Sequence, residues 1–204
     1  MRGLYLVTPD WDDTARLLAA TEAAIEGGAV CVQYRHKSAT RDLRLAQAQA
    51  QALRTLTRRL GVPLLINDDL PLAQQVAADG VHLGREDGEL AAARAVLGAQ
   101  AIIGASCYNS LERARAAQAA GASYVAFGAM FASPTKPEAV AAPLELIAQA
   151  KAELGLPVAC IGGITADNAP LLVAQGADLL AVITDIYAAS APQAQAARFA
   201  ALYA

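Results

Sequence analysis

Short apolar runs alternate with longer segments of helical spacing along nearly the whole chain. The runs Leu4–Thr8, Val30–Arg35, Leu64–Asn67, Gly80–Leu83, Ile102–Ser106, Tyr124–Gly128, Val158–Gly162 and Leu180–Thr184 have strand length and are bounded by Gly, Pro, Asp or Ser, which predicts strands. Between them apolar residues recur three and four apart, as in Leu43, Ala46, Ala50 and Leu53. This predicts helices over Asp13–Glu26, Thr40–Leu60, Leu70–Ala78, Gly88–Leu97, Ser110–Ala120, Pro143–Leu154, Asp167–Gln175 and Pro192–Leu202, with Thr40, Asn109 and Thr165 as plausible caps. One junction recurs: a helix ends in Gly or Ala-Gly and a strand follows at once, as in Gly28-Ala29-Val30, Asp79-Gly80-Val81, Gly121-Ala122-Ser123-Tyr124 and Gly176-Ala177-Asp178-Leu179. Glycine takes the left-handed conformation at a helix C-terminus without a steric penalty, and recurrence of one unit over a whole chain marks a repeat architecture.

About eight strand–helix units in 204 residues predict a closed parallel (β/α)8 TIM barrel, a single domain over residues 1–204. An open doubly wound sheet would call for a glycine fingerprint after the first strand. Thr8-Pro9-Asp10 stands there instead.

Composition adds limits. Hydrophobic residues make up 55% of the chain, enough for a large core, but every apolar run is too short to span a bilayer. Met1-Arg2-Gly3 leads straight into the first strand and offers no secretory apolar region, so a cytoplasmic location is expected. The net charge is -3 and basic residues are scattered, so neither nucleic acid nor membrane is an expected partner. Cys31, Cys107 and Cys160 lie far apart and read as buried thiols, with Cys107 nearest a strand end. His82 alternates with Val81 and Leu83, which suits a satisfied interior histidine better than a base. No Ser-His-Asp or Cys-His arrangement is suggested.

In a barrel the chemistry collects where strands run into the following loops. Two adjacent strand ends there carry Asn67-Asp68-Asp69 and Asp87. Carboxylates from neighbouring strands form an oxygen-rich site suited to Mg²⁺; the alternative is that each acid merely caps the helix that follows. The second strand ends in Gln33-Tyr34-Arg35-His36-Lys37. In an extended segment Gln33, Arg35 and Lys37 would share a face, unless Arg35 serves a structural ion pair. The fifth strand offers Ser106, Cys107 and Tyr108, and the sixth opens a long loop, Ala129–Ala142, holding Ser133-Pro134-Thr135-Lys136. The seventh ends in Gly162-Gly163, where backbone N–H groups could approach a phosphate, and the eighth in Ile183-Thr184. Metal-binding acids, cations for anionic oxygens and a glycine-backed pocket, with no activated nucleophile, fit departure of a metal-bound diphosphate and attack by a second, phosphorylated substrate.

The motifs Q-Y-R-H-K, I-N-D, G-V-H-L-G-x-x-D, S-C-Y, F-x-S-x-T-K, I-G-G-I and V-I-T, in that order and each at a strand end, resemble the thiamine phosphate synthase (thiamine-phosphate pyrophosphorylase) family from Leu4 to about Ile186. The resemblance implies a Mg²⁺-dependent transferase of (β/α)8 fold that joins hydroxymethylpyrimidine diphosphate to carboxythiazole phosphate. The products would be thiamine phosphate, diphosphate and carbon dioxide, by dissociative chemistry through a pyrimidine methylene cation. It implies Asp68 and Asp87 as metal ligands. Gln33, Tyr34, Arg35, His36, Lys37, Asn67, Ser106 and Lys136 would bind the pyrimidine diphosphate. Ser133, Pro134, Thr135, Gly163, Ile183 and Thr184 would bind the thiazole phosphate. The chain departs from the family's frequent pattern at Asp69, where Arg is common, and at Arg85, where Gln is common. Asp69 would either add a third carboxylate near the metal or point away as a cap. Two other readings are a thiazole tautomerase, which needs no full metal and diphosphate set, and a catalytically silent barrel that binds a phosphorylated ligand. The length and Pro content of Ala129–Ala142 suggest a lid.

Overall fold

The structure, a computed structural model, describes residues 1–37, 42–84, 87–132 and 141–204, apart from the side chains of residues 87–89. Eight strands, β1 (Gly3–Val7), β2 (Ala29–Tyr34), β3 (Leu64–Asn67), β4 (Gly80–Leu83), β5 (Ile102–Tyr108), β6 (Tyr124–Phe127), β7 (Val158–Ile161) and β8 (Leu179–Val182), pair in chain order. Every pair is parallel, and β8 returns to β1, so the sheet is a closed barrel. The helices are α1 (Thr14–Glu26), α2 (Leu43–Leu60), α3 (Leu70–Gln75), α4 (Asp87–Leu97), α5 (Leu111–Ala119), α6 (Glu145–Glu153), α7 (Ala169–Ala174), α8 (Thr184–Tyr187) and α9 (Pro192–Ala200), with a 3-10 turn over Ala201–Tyr203. The expected barrel is the observed one.

Differences fall at element ends. Asp42, not Thr40, has the capping side chain of α2, accepting from Arg44 N; Thr40 itself lies outside the described residues. Ser110, not Asn109, caps α5 through Arg113 N. The strand expected to reach Thr184 stops at Val182, and Thr184 begins the short helix α8, which the sequence reading did not contain. Four residues are too few to show a helical period, so no pattern could mark it.

Strand alternation sorts the core into two layers. Leu4, Leu6, Val32, Leu64, Ile66, Val81, Ile103, Val125, Phe127, Val158, Leu180 and Val182 face the helices. Tyr5, Val7, Cys31, Leu65, Tyr124, Ala126, Ala159, Leu179 and Ala181 fill the barrel. One interior position has no side chain by necessity: a Cβ on Gly104 would fall 2.1 Å from the Tyr124 ring. Glycine there lets the tyrosine lie across the barrel.

The repeat seen in the sequence has a structural counterpart at the N-terminal rim. The residue before β4, β6 and β8 accepts a backbone N–H from the strand before it: Asp79 from Leu64, Ser123 from Ile103 and Asp178 from Val158. Asp79 also accepts from Arg54 of α2 at 2.6 Å, and Asp178 from Lys151 of α6 at 2.7 Å. Each acid thus ties a helix to the strand pair beneath it. Among the described residues no helix is long and apolar enough to cross a membrane.

Candidate active site

Parallel closure brings all eight strand C-termini to one rim, where the described residues that follow the strands gather. Asp68 follows β3 directly. Its N–H donates to His82 O at 2.9 Å, holding it against β4, and its φ is +55°, a region that few side chains adopt. Lys37 Nζ at 2.7 Å and Asn67 Nδ2 at 2.9 Å both donate to Asp68 Oδ2. The Oδ1 atom lies on the Gly84 side, 3.5 Å from where an added Cβ would sit, and takes no hydrogen bond among the described residues. Lys37 and Asp68 are 49% and 38% exposed, at the edge of a cavity of about 110 Å³ lined in part by His36, Asn67 and Asp69.

The residues around this pair resolve two alternatives. Asp69 caps α3, accepting from Leu72 N at 2.9 Å, which is the capping role of its two alternatives. Arg35 does serve an ion pair, with Asp10 at 3.5 Å, and Asp10 also accepts from Lys37 N at 2.7 Å. Thr8 Oγ1 bonds both the N–H and the carbonyl of Arg35, so the loops after β1 and β2 are laced together. The shared strand face expected for Gln33, Arg35 and Lys37 is corrected: β2 stops at Tyr34, and only Gln33 lies in the strand. Tyr34 faces the helices and donates to Gln49 Oε1 of α2. His36 is buried, its Nε2 3.4 Å from Asp12 Oδ1, and neither ring nitrogen makes a hydrogen bond among the described residues. Asp87 is the first residue of α4; its side chain, like Arg85, lies outside the described residues.

Inside the barrel a hydrogen-bonded chain crosses from β2 to β5. Gln33 Nε2 donates to the Tyr5 oxygen at 2.5 Å. The Tyr5 and Tyr124 hydroxyls are 2.8 Å apart, Tyr124 is 2.8 Å from His82 Nδ1, and His82 Nε2 is 2.8 Å from Ser106 Oγ. Burial drives the His82 pKa down to about 4, against the pull of Asp68, with Lys37 adding to the fall, so the ring is neutral at pH 7. Burial likewise pushes both phenols well above their ordinary value and keeps them protonated. Tyr5 and Tyr124 were absent from the sequence reading. Their signal was a polar tip at an inward strand position, visible only once the inward face is known.

A second corner forms after β7. Gly162 and Gly163 have φ of +102° and +62°, and a Cβ on Gly163 would fall 2.5 Å from Ala132 O. Met130 N donates to Ile161 O and Phe131 N to Gly162 O, so the segment entering the long loop lies against this glycine pair. Asn168 Nδ2 holds Gly163 O at 2.9 Å. Asp185 of α8 accepts from Ala166 N and from Gln195 of α9, which fastens the loop after β7 beside Ile183 and Thr184. Ser133, Pro134, Thr135 and Lys136, and with them most of the expected lid, lie outside the described residues.

The buried thiols offer no nucleophile: Cys107 is 1% exposed, and burial pushes Cys31 up and Cys160 to about 12. Among the described residues no three of His, Cys, Asp and Glu gather as a preformed metal cage. One carboxylate beside a lysine suits a cation that arrives with an anionic ligand.

The profile of the thiamine monophosphate synthase family matches residues 4–186. A thiamine-phosphate synthase of Azoarcus sp. (strain BH72) is 58% identical over 204 residues, covering 100% of this chain and 98% of its own. Another, from Aromatoleum aromaticum, is 53% identical over 203 residues, covering 100% of this chain and 97% of its own. Among solved structures, thiamine phosphate pyrophosphorylase from Pyrococcus furiosus superposes with a TM-score of 0.83 at 33% identity, covering 98% of this chain and 94% of that one. A 3-hexulose-6-phosphate synthase, 18% identical with a TM-score of 0.72, shares the fold.

Proposed function

The chain belongs to the thiamine monophosphate synthase family and is an enzyme, and on that premise we propose that it transfers the hydroxymethylpyrimidine group from its diphosphate to a thiazole phosphate, releasing diphosphate. The observation that carries this reading is Asp68: its carboxylate stands at the mouth with one oxygen held by Lys37 and Asn67 and the other without a hydrogen bond among the described residues.

Asp68, with Asp87 from the next strand's helix, would hold Mg²⁺, which when bound screens the charge of a diphosphate. Lys37 would meet the same diphosphate oxygens, and its bond to Asp68 keeps it extended toward them until they arrive. Gln33, Tyr34, Arg35, His36, Asn67, Ser106 and Lys136 complete the pyrimidine diphosphate set in this proposal. Within it Tyr34 and Arg35 act by shaping the wall, since Tyr34 is turned to α2 and Arg35 to Asp10. Gly163, Ile183 and Thr184, with Ser133, Pro134 and Thr135, would take the thiazole phosphate, the Ala132 carbonyl lying where a Gly163 side chain would be. In this proposal the protein's contribution is to align two substrates, stabilise charge on the leaving group and keep water out.

The thiazole tautomerase reading is less favoured, because such a reaction has no use for a lysine–carboxylate pair held at the mouth. The test is a coupling assay with both substrates, with and without Mg²⁺. Formation of thiamine phosphate only with the metal supports the proposal; no coupling, or coupling that ignores Mg²⁺, overturns it.

A further inference from the structure

The buried chain from Gln33 to Ser106 has a direction. With Gln33 Nε2 donating to Tyr5, the Tyr5 proton has one acceptor left among the described residues, the Tyr124 oxygen. Tyr124 then donates to His82 Nδ1, the His82 proton sits on Nε2 and goes to Ser106 Oγ, and the Ser106 proton is left for the mouth. If the Gln33 amide turned over, every bond would reverse. Tyr5 would donate to Gln33 Oε1, His82 would carry its proton on Nδ1, and Ser106 would donate inward to Nε2.

The free groups at the two ends are therefore linked, although a second amide hydrogen of Gln33 stays free in either state. When Gln33 leaves its Oε1 acceptor toward the mouth, Ser106 leaves a donor; when Gln33 leaves an N–H, Ser106 leaves only lone pairs. A mixed arrangement strands a buried proton or lone pair, which costs about 1–3 kcal/mol. The chain is well placed to hold this rule. Tyr5 and Tyr124 are each 1% exposed, their rings meet edge to face at 5.9 Å, and the His82 ring stacks on Tyr124 at 5.7 Å. Gly104 supplies the space in which the second tyrosine lies.

We propose that Tyr5, Tyr124 and His82 are positioning residues that couple the Gln33 amide to the Ser106 hydroxyl. The mouth then selects ligands presenting a donor to one of these ends and an acceptor to the other. This specificity reading rests on the proposed function for the ligand's identity, whereas the coupling itself does not.

The test is made on ligand-free protein, so its result is independent of the coupling assay. The chain holds two histidines, His36 and His82, and nitrogen NMR with a His36→Gln variant for assignment reads the tautomer of His82. The expected wild-type form has the proton on Nε2. In Gln33→Glu, at a pH where the new carboxylate is ionised, residue 33 can only accept, so the proton should move to Nδ1. In Gln33→Glu combined with Tyr5→Phe the link is cut, and the proton should return to Nε2. A tautomer that stays put in the single variant, or stays inverted in the double variant, overturns the proposal. Should Gln33→Glu fail to fold, wild type suffices: a Gln33 amide N–H bonded to Tyr5 alongside a His82 proton on Nδ1 overturns the coupling.

Discussion

Lys37 Nζ lies 2.7 Å from an Asp68 carboxylate whose own backbone is held at φ +55°. A non-glycine residue there costs about 1 kcal/mol, and the structure accepts this to aim a carboxylate at the mouth. Removing the side chain should therefore separate stability from function. Asp68→Gly is expected to be at least as stable as wild type by thermal unfolding, since glycine adopts this φ freely. Calorimetry should show its affinity for the pyrimidine diphosphate in Mg²⁺ reduced roughly 100-fold, about the worth of one lost charge-assisted contact. Retained affinity with retained Mg²⁺ dependence would remove Asp68 from the metal site.

Its neighbour should behave oppositely. Asp69 caps α3 through Leu72 N, so Asp69→Ala is expected to cost about 1 kcal/mol of stability. The Mg²⁺ dependence of binding should not change. Chemical denaturation and calorimetry on the same variant check both halves.

Gly104→Ala places a methyl 2.1 Å from the Tyr124 ring and cannot be absorbed without moving that tyrosine. A loss of about 3 kcal/mol is expected, at the upper end for overpacking. Part should be recovered in Gly104→Ala with Tyr124→Leu, where the clashing ring is gone. Urea unfolding midpoints of the two variants measure the recovery.

His82 makes stability depend on pH with a defined sign. Its pKa falls from 6.5 unfolded to about 4 folded, first because of burial, with Asp68 opposing and Lys37 assisting; Tyr124 and Ser106 face its two nitrogens. The unfolded chain therefore binds a proton that the folded one refuses. Stability is whole above pH 6.5 and declines as pH drops toward 4, by up to about 3 kcal/mol. In His82→Gln, which keeps a hydrogen-bonding side chain, the decline between pH 6.5 and 4 should be shallower. An equal slope in both proteins would show that other groups carry it.

The barrel was legible in the chain because its signal is local and repeated. Each unit carries its own strand and helix periods, most add a glycine stop, and eight such units leave few ways to bury both faces of a parallel sheet. The rim positions followed, since a parallel barrel brings every strand C-terminus to one side. What the order of residues could not decide was where individual side chains turn. Asp68 and Asp69 are equivalent in composition, and only the left-handed backbone at Asp68, fixed by the N–H bond to His82 of the adjacent strand, points one to the mouth and leaves the other to cap α3. Gln33 looked like one of three polar residues sharing a strand face until the end of β2 at Tyr34 left it alone in the strand. Tyr5 and Tyr124 stand 119 residues apart, and their contact exists because barrel closure and the missing Gly104 side chain bring the two hydroxyls together. Pattern along a chain reports periodicity, which fixes elements and their order; hydrogen bonds between distant strands depend on register and on vacant volume, and those are properties of the packed barrel alone.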